Sequence, residues 1–213
     1  MPDAELSLEE EKTSKKLVAI LVAIAVVLSG GFLIQHFLFG VYSVATGSME
    51  PTYHGCKTNG DGKCTRLLVF KGATQPVRGD VIVFTAPNDK WGGHVVLTKR
   101  VIATAGQRVS CDNSRGLTGV LVDGEQIPEP YLNRQWLSEK YGDKLSMSDG
   151  SIAPCYGPGW GSVVVPDHSV FVLGDNRGDS QDSRAFVKSD APEDFGYAVP
   201  LSNMIGTVVF SWG

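Results

Sequence analysis

Ser48 stands in the run Thr46-Gly47-Ser48-Met49-Glu50-Pro51-Thr52. The glycine before it and the proline three residues on keep it out of a helix interior and a central strand. Its hydroxyl therefore belongs on a turn, where a nucleophile can meet a substrate. A linker of small residues would have the same composition. A serine nucleophile needs a base, and Lys99, in Val95-Val96-Leu97-Thr98-Lys99-Arg100-Val101-Ile102, is a candidate. Alternate residues of a strand share a face, which groups Lys99 with Leu97 and Val101, and Arg100 with Val96 and Ile102. An apolar face desolvates the amine and disfavours its cation. Bringing a lysine from about 10.4 into the working range of a base takes about 3–4 kcal/mol. A lysine that snorkels from a strand edge into water is the plain alternative.

A third polar feature is Gly174-Asp175-Asn176-Arg177-Gly178-Asp179-Ser180-Gln181-Asp182-Ser183-Arg184, which follows the apolar Val170–Leu173. Opposite charges at short spacing suit a loop that braces itself through Asp182 and Arg184 and positions Ser180. A solvated turn or a calcium loop would also be acid-rich, but the run lacks the bidentate Glu of an EF-hand. His94 and His54 are rival bases, lying five residues before Lys99 and six after Ser48. No G-x-S-x-G elbow surrounds Ser48, and Pro51 occupies the lysine position of an S-x-x-K pattern.

These residues need a scaffold. From Leu17 to Met49 the chain has no charged residue, and residues 17–39 form a 23-residue apolar core. As a helix it spans roughly 35 Å, a little more than the ~30 Å hydrocarbon layer. Lys12, Lys15 and Lys16 precede it and the next cation is Lys57. The positive-inside rule then places residues 1–16 in the cytoplasm and the chain from residue 40 outside. Ser43-Val44-Ala45 resembles a signal-peptide cleavage site, but the apolar run exceeds the usual h-region. A retained single-pass anchor is expected. Beyond it, β-branched segments between Gly, Pro and Asn breaks read as strands: Arg66–Phe70, Asp80–Thr85, Val95–Ala103, Val120–Val122, Ser162–Val165, Val170–Leu173 and Ile205–Trp212. Weak helical periodicity occurs around Tyr131–Tyr141. A mostly β, antiparallel domain over residues 40–213 is expected, as barrel or packed sheets, with residues 108–166 a loop-rich inserted cap.

Cys56, Cys64, Cys111 and Cys155 follow the anchor with no C-x-x-C spacing, which argues against a zinc site. An even count outside the membrane suggests two disulfides. Of three connectivities, the turn-forming Asn59-Gly60-Asp61-Gly62 favours Cys56–Cys64 with Cys111–Cys155. The 19 Lys+Arg against 23 Asp+Glu give a net charge of −4, without the basic excess of a nucleic-acid binder. Apolar content of 42% with 20% charged residues excludes a disordered chain.

In order, these pieces resemble the bacterial type I signal peptidases, membrane-bound serine proteases with a Ser–Lys dyad. The resemblance rests on the anchor, Ser48-Met49-x-Pro51-Thr52, Arg78-Gly79-Asp80-Val81-Ile82-Val83-Phe84, Lys99-Arg100-Val101-Ile102, Gly106, the run from Gly174 to Arg184, and Ile205-Gly206-Thr207-Val208. It implies Ser48 as nucleophile and a neutral Lys99 as base. The Ser48 N–H and Thr46 hydroxyl would form the oxyanion hole, Ser180 would orient the lysine, and Asp182 and Arg184 would brace the loop. No metal or cofactor is needed. The implied substrates are signal peptides of secreted preproteins cut after A-x-A-like sites, at the membrane surface. Ala103-Thr104-Ala105-Gly106-Gln107 departs from the family's Gly-x-Pro-Gly-Asp, and the cysteine-bracketed loop is longer than in a minimal member. Two alternatives remain. A self-cleaving SOS-type repressor would need a DNA-binding domain where only 16 residues precede the anchor. A membrane-tethered, non-catalytic β binding module would carry the same fold.

Overall fold

The computed structural model describes residues 2–57, 63–72, 75–111, 119–145, 155–156, 159–187 and 195–213. The chain divides after Gly40 into two compact units. The first is one helix, α1 (Pro2–Leu38). Its stretch Ser14–Leu33 is long and apolar enough to cross a membrane, and none of it is buried. Glu, Lys and Leu are strong helix formers, so the helix also takes in the charged segment before the apolar one. The helix expected to run through Phe39 stops at Leu38, because Phe39-Gly40-Val41-Tyr42-Ser43 forms a strand, as its aromatic and β-branched residues favour.

The strands in chain order are β1 (Phe39–Ser43), β2 (Arg66–Phe70), β3 (Val81–Thr85), β4 (Val96–Thr104), β5 (Arg108–Cys111), β6 (Leu121–Val122), β7 (Glu125–Gln126), β8 (Trp160–Val164), β9 (Ser169–Leu173), β10 (Val199–Pro200) and β11 (Met204–Trp212). A seven-stranded sheet has the order β1-β2-β11-β3-β4-β9-β10, and a four-stranded sheet the order β7-β6-β5-β8. The registered pairs are antiparallel. The fold is thus mostly β, and the expected strands are present with ends moved by one or two residues.

β9 is buried on both faces and β3 nearly so, which marks the β3-β4-β9 part of the large sheet as its buried centre. β4 lies between them, with Ile82 opposite Lys99 and Leu173 opposite Arg100. The smaller sheet packs on this centre: Val109, Val120, Val122, Ile127 and Val165 join Ile102, Phe171 and Leu173 in one apolar cluster. Residues 108–166 therefore share the core of the large sheet. A second helix, α2 (Arg134–Leu145), starts three residues later than the expected helix, because Asn133 Oδ1 accepts the Trp136 N–H and so caps it. It buries Leu137 against Leu132 and Tyr156. Both favoured disulfides are formed, Cys56–Cys64 and Cys111–Cys155. The expected turn at residues 59–62 lies outside the described residues.

Candidate active site

Ser48 sits in a 3-10 turn, Gly47–Met49, which follows β1. The turn is closed by the Glu50 N–H on Gly47 O (3.1 Å) and the Tyr53 N–H on Met49 O (3.0 Å). Met49 is fully buried and anchors it. The returning chain crosses so close that a Cβ on Gly55 would collide with the Thr46 carbonyl.

β4 brings Lys99 to this turn from 51 residues away in sequence. Lys99 is 2% exposed and Ser48 8%. Lys99 Nζ donates to Ser48 Oγ at 2.5 Å, and the Thr46 hydroxyl donates to the same oxygen at 3.3 Å. Burial pulls the Lys99 amine down to about 8; Asp182 opposes this and Arg184 reinforces it. The alternation expected for β4 holds. Lys99 shares its face with half-buried Leu97 and buried Val101, and Arg100 lies on the other face with Ile102 and an exposed Val96.

The loop after β9 fastens turn and strand together. The Asn176 N–H donates to Ser48 O (3.0 Å), and Asn176 Nδ2 donates to Gly47 O (2.9 Å) and to the Tyr141 hydroxyl (3.1 Å). Asp175 takes a bidentate pair from Arg100, at 2.8 and 2.6 Å, and a 2.7 Å bond from the Thr52 hydroxyl. Arg177 is buried against Glu129 and donates to Gly174 O. Asp182 accepts from the Gly174 N–H and from Arg184 Nε and Nη2, and it caps the 3-10 turn Ser183–Phe186. Burial alone would raise the Asp182 carboxyl, but Arg184 and the Gly174 amide outweigh it and hold it below the usual range. Gly174 admits this crowding, since a Cβ there would strike both Ser180 Oγ and Ser48 O.

Thr46 contacts Ser48, and Asp182 pairs with Arg184 in the loop after β9. Ser180 lies in the same cluster, but the expected bond to Lys99 is not formed. Its Oγ is buried, and the Lys99 amine donates to Ser48 Oγ instead. His54 and His94 are exposed, and neither is hydrogen-bonded to Ser48.

A family model described as "Signal peptidase, peptidase S26" matches residues 14–213. The chain belongs to this signal peptidase family. Curated relatives include Signal peptidase I of Mycobacterium tuberculosis, 36% identical over 88% of this chain and 69% of that one. Signal peptidase I of Bacillus amyloliquefaciens is 33% identical over 83% of each. A crystal structure of a signal peptidase I from Enterococcus faecalis V583 matches with a TM-score of 0.41 at 23% identity, covering 62% of this chain and 96% of that one. As a signal peptidase of family S26 the protein is a serine endopeptidase, and its apolar N-terminal helix fits a membrane-anchored enzyme.

Sequence reading left Asp175, Asn176, Arg177, Arg100, Glu129 and Tyr141 without roles, although all are half-buried or buried beside the site. One signal was available. Arg100 faces away from Lys99 on a buried strand, so it requires a carboxylate, and the acid-rich run from Gly174 is the obvious supplier.

Proposed function

We propose that Ser48 and Lys99 act as nucleophile and general base in removing signal peptides from secreted preproteins after A-x-A-like sites. The observation carrying this is the 2.5 Å contact between Lys99 Nζ and Ser48 Oγ, made by a buried lysine whose pKa is lowered to about 8. As a neutral amine, Lys99 takes the Ser48 proton while Oγ bonds to the scissile carbonyl carbon and the carbonyl electron pair moves onto oxygen. The Ser48 N–H and the Thr46 hydroxyl stabilise that oxyanion, donors each worth about 10²–10³ in rate. Lys99 then protonates the leaving amine, and the acyl group remains on Ser48. Water attacks the ester after giving a proton to Lys99, and the serine oxygen leaves with that proton. Ser180 holds the Lys99 ammonium between these steps, while Asp182 and Arg184 brace the loop.

The lysines before the apolar helix support a topology with residues 1–16 cytoplasmic and residues 40–213 extracytoplasmic. The two disulfides agree with an oxidising compartment. Ser48 is only nine residues beyond Phe39 in sequence. A substrate whose signal peptide spans the same bilayer is thereby tethered to the same surface as the enzyme, which raises its effective concentration.

The test is cleavage of a preprotein with an A-x-A site in detergent or liposomes, with the new N-terminus sequenced. Wild type should cut after the last small residue, while Ser48→Ala and Lys99→Ala should be inactive. A Lys99→Ala protein that still cuts would move the base elsewhere. A wild type that cuts nothing would favour a binding module.

A further inference from the structure

We infer that Asn176 and Tyr141 are positioning residues for oxyanion stabilisation, acting through the carbonyl of Gly47. The inference deepens the reading of Ser48 as nucleophile and rests on it.

The peptide joining Gly47 to Ser48 carries the Gly47 C=O on one side and the Ser48 N–H on the other. In a planar trans amide, fixing one fixes the other. Gly47 O is held by two donors, the Glu50 N–H at 3.1 Å and Asn176 Nδ2 at 2.9 Å. Donation to the carbonyl also polarises the amide and strengthens its N–H as a donor. The backbone N–H of Asn176 holds Ser48 O at 3.0 Å, so one residue grips the carbonyls on both sides of Ser48. Such a grip leaves the Ser48 N–H little room to turn away from the charge it must meet.

Asn176 is 1% exposed, and its Oδ1 has no partner among the described residues. An unpaired buried acceptor is destabilising, so stability does not account for this orientation. It does aim the amide nitrogen at Gly47 O. Tyr141 sets that aim. Its hydroxyl accepts from the same Nδ2 at 3.1 Å, and its ring packs so closely on Gly178 that a Cβ there would strike it. Tyr141 comes from α2, and the preceding Lys140 binds Glu50 at 3.2 Å. One helix of the inserted segment therefore contacts both residues that hold Gly47 O. The insertion reaches the reaction through a peptide bond rather than through substrate.

The experiment uses the full-length protein in detergent and the A-x-A preprotein, with Asn176→Ala, Tyr141→Phe and Ser48→Ala. Asn176→Ala should lower kcat about 10- to 100-fold, less than loss of an oxyanion donor itself, with KM within about twofold. Tyr141→Phe, which keeps the bond to Gly47, should lower kcat about 3- to 10-fold. The rising limb of the pH profile should stay in place, because Lys99 is untouched. A peptide aldehyde ending in the A-x-A sequence supplies the decisive readout. Ser48 Oγ adds to the aldehyde carbon, the carbonyl pair moves to oxygen and the hydroxyl proton goes to Lys99, so the adduct needs the same stabilisation. Its affinity should fall by the same factor as kcat/KM in both variants.

Wild-type kcat in Tyr141→Phe and Asn176→Ala would overturn the inference. So would a loss confined to KM, a displaced pH limb, or unchanged aldehyde affinity. If Asn176→Ala fails to fold, as judged by its melting curve, Tyr141→Phe decides alone. A Ser48→Ala protein that still cuts would sink the nucleophile itself. An inactive Ser48→Ala beside fully active positioning variants would sink only the link to Gly47.

Discussion

Lys99 and Arg100 are neighbours on β4 that face opposite sides of the large sheet, and their charges are treated in opposite ways. Arg100 grips Asp175 with two nitrogens, donates to Gly79 O at 2.8 Å and lies 4.0 Å over the Tyr131 ring. Arg177 and Arg184 follow the same pattern, with Glu129 and Asp182 as counter-ions. Lys99 forms no ion pair among the described residues, and its amine meets a neutral hydroxyl. The three paired cations serve as scaffold. The unpaired one is drawn down to about 8, into the range where a base can work. The candidate site is made by withholding a counter-ion at one position while supplying one at three positions around it.

The largest break in this comparison comes from removing a counter-ion. Asp175→Ala leaves the Arg100 guanidinium, 11% exposed, with no carboxylate, and frees the Thr52 hydroxyl as well. Stranding a buried charge costs about 3–5 kcal/mol. For a chain of this size that lowers the melting temperature by about 10 °C. Arg100→Met combined with Asp175→Ala should recover much of the loss, because no lone charge remains. Calorimetry of the single and double variants decides, and a double variant no more stable than Asp175→Ala would contradict the scaffold role.

Lys99→Met should do the opposite to stability while abolishing cleavage. A lysine in the unfolded chain titrates near 10.5, and in the folded protein near 8. Below pH 8 the folded protein must bury an ammonium ion, at a cost of about 3 kcal/mol. Between pH 8 and 10.5 the unfolded chain holds a proton that the folded one has lost, so wild-type stability rises with pH across that window. Methionine has no proton to lose. The variant should be the more stable at pH 7 by about 3 kcal/mol, with the gap closing by pH 10.5. Wild-type cleavage should rise through about pH 8 over the same proton. A stability gap independent of pH would mean that the lysine is not desolvated in the folded chain.

Much of this contrast was legible before any coordinates. The alternation around Lys99 put the lysine and Arg100 on opposite faces, and the short β-branched segments marked the strands that carry them. The counter-ions were not legible, because Arg100 meets Asp175 across 75 residues and Thr52 meets Asp175 across 123. Local patterns carry no information about such pairings. The partner of the amine was hidden for the same reason: a strand pattern does not say that Lys99 meets Ser48 Oγ across 51 residues. In α2 the apolar period was too weak to fix the ends, and an asparagine cap set the start instead.

The smallest effect tests whether pairing matters when water is close. Lys140 is 37% exposed and meets Glu50, 6% exposed, at 3.2 Å. Its ammonium also lies over the Trp136 ring, with Nζ 4.5 Å from the centroid. Solvent screens an exposed ammonium left without its partner, so Glu50→Gln should cost less than about 1 kcal/mol, well below the loss in Asp175→Ala. The activity should fall by less than that of Tyr141→Phe, because the Glu50 N–H bond to Gly47 O is a backbone contact that survives without the carboxylate. Urea melts and cleavage rates on the same preparation give both numbers. A stability loss as large as that of Asp175→Ala would show that exposure does not divide this protein's ion pairs, and the distinction between Lys99 and its neighbours would then need another cause.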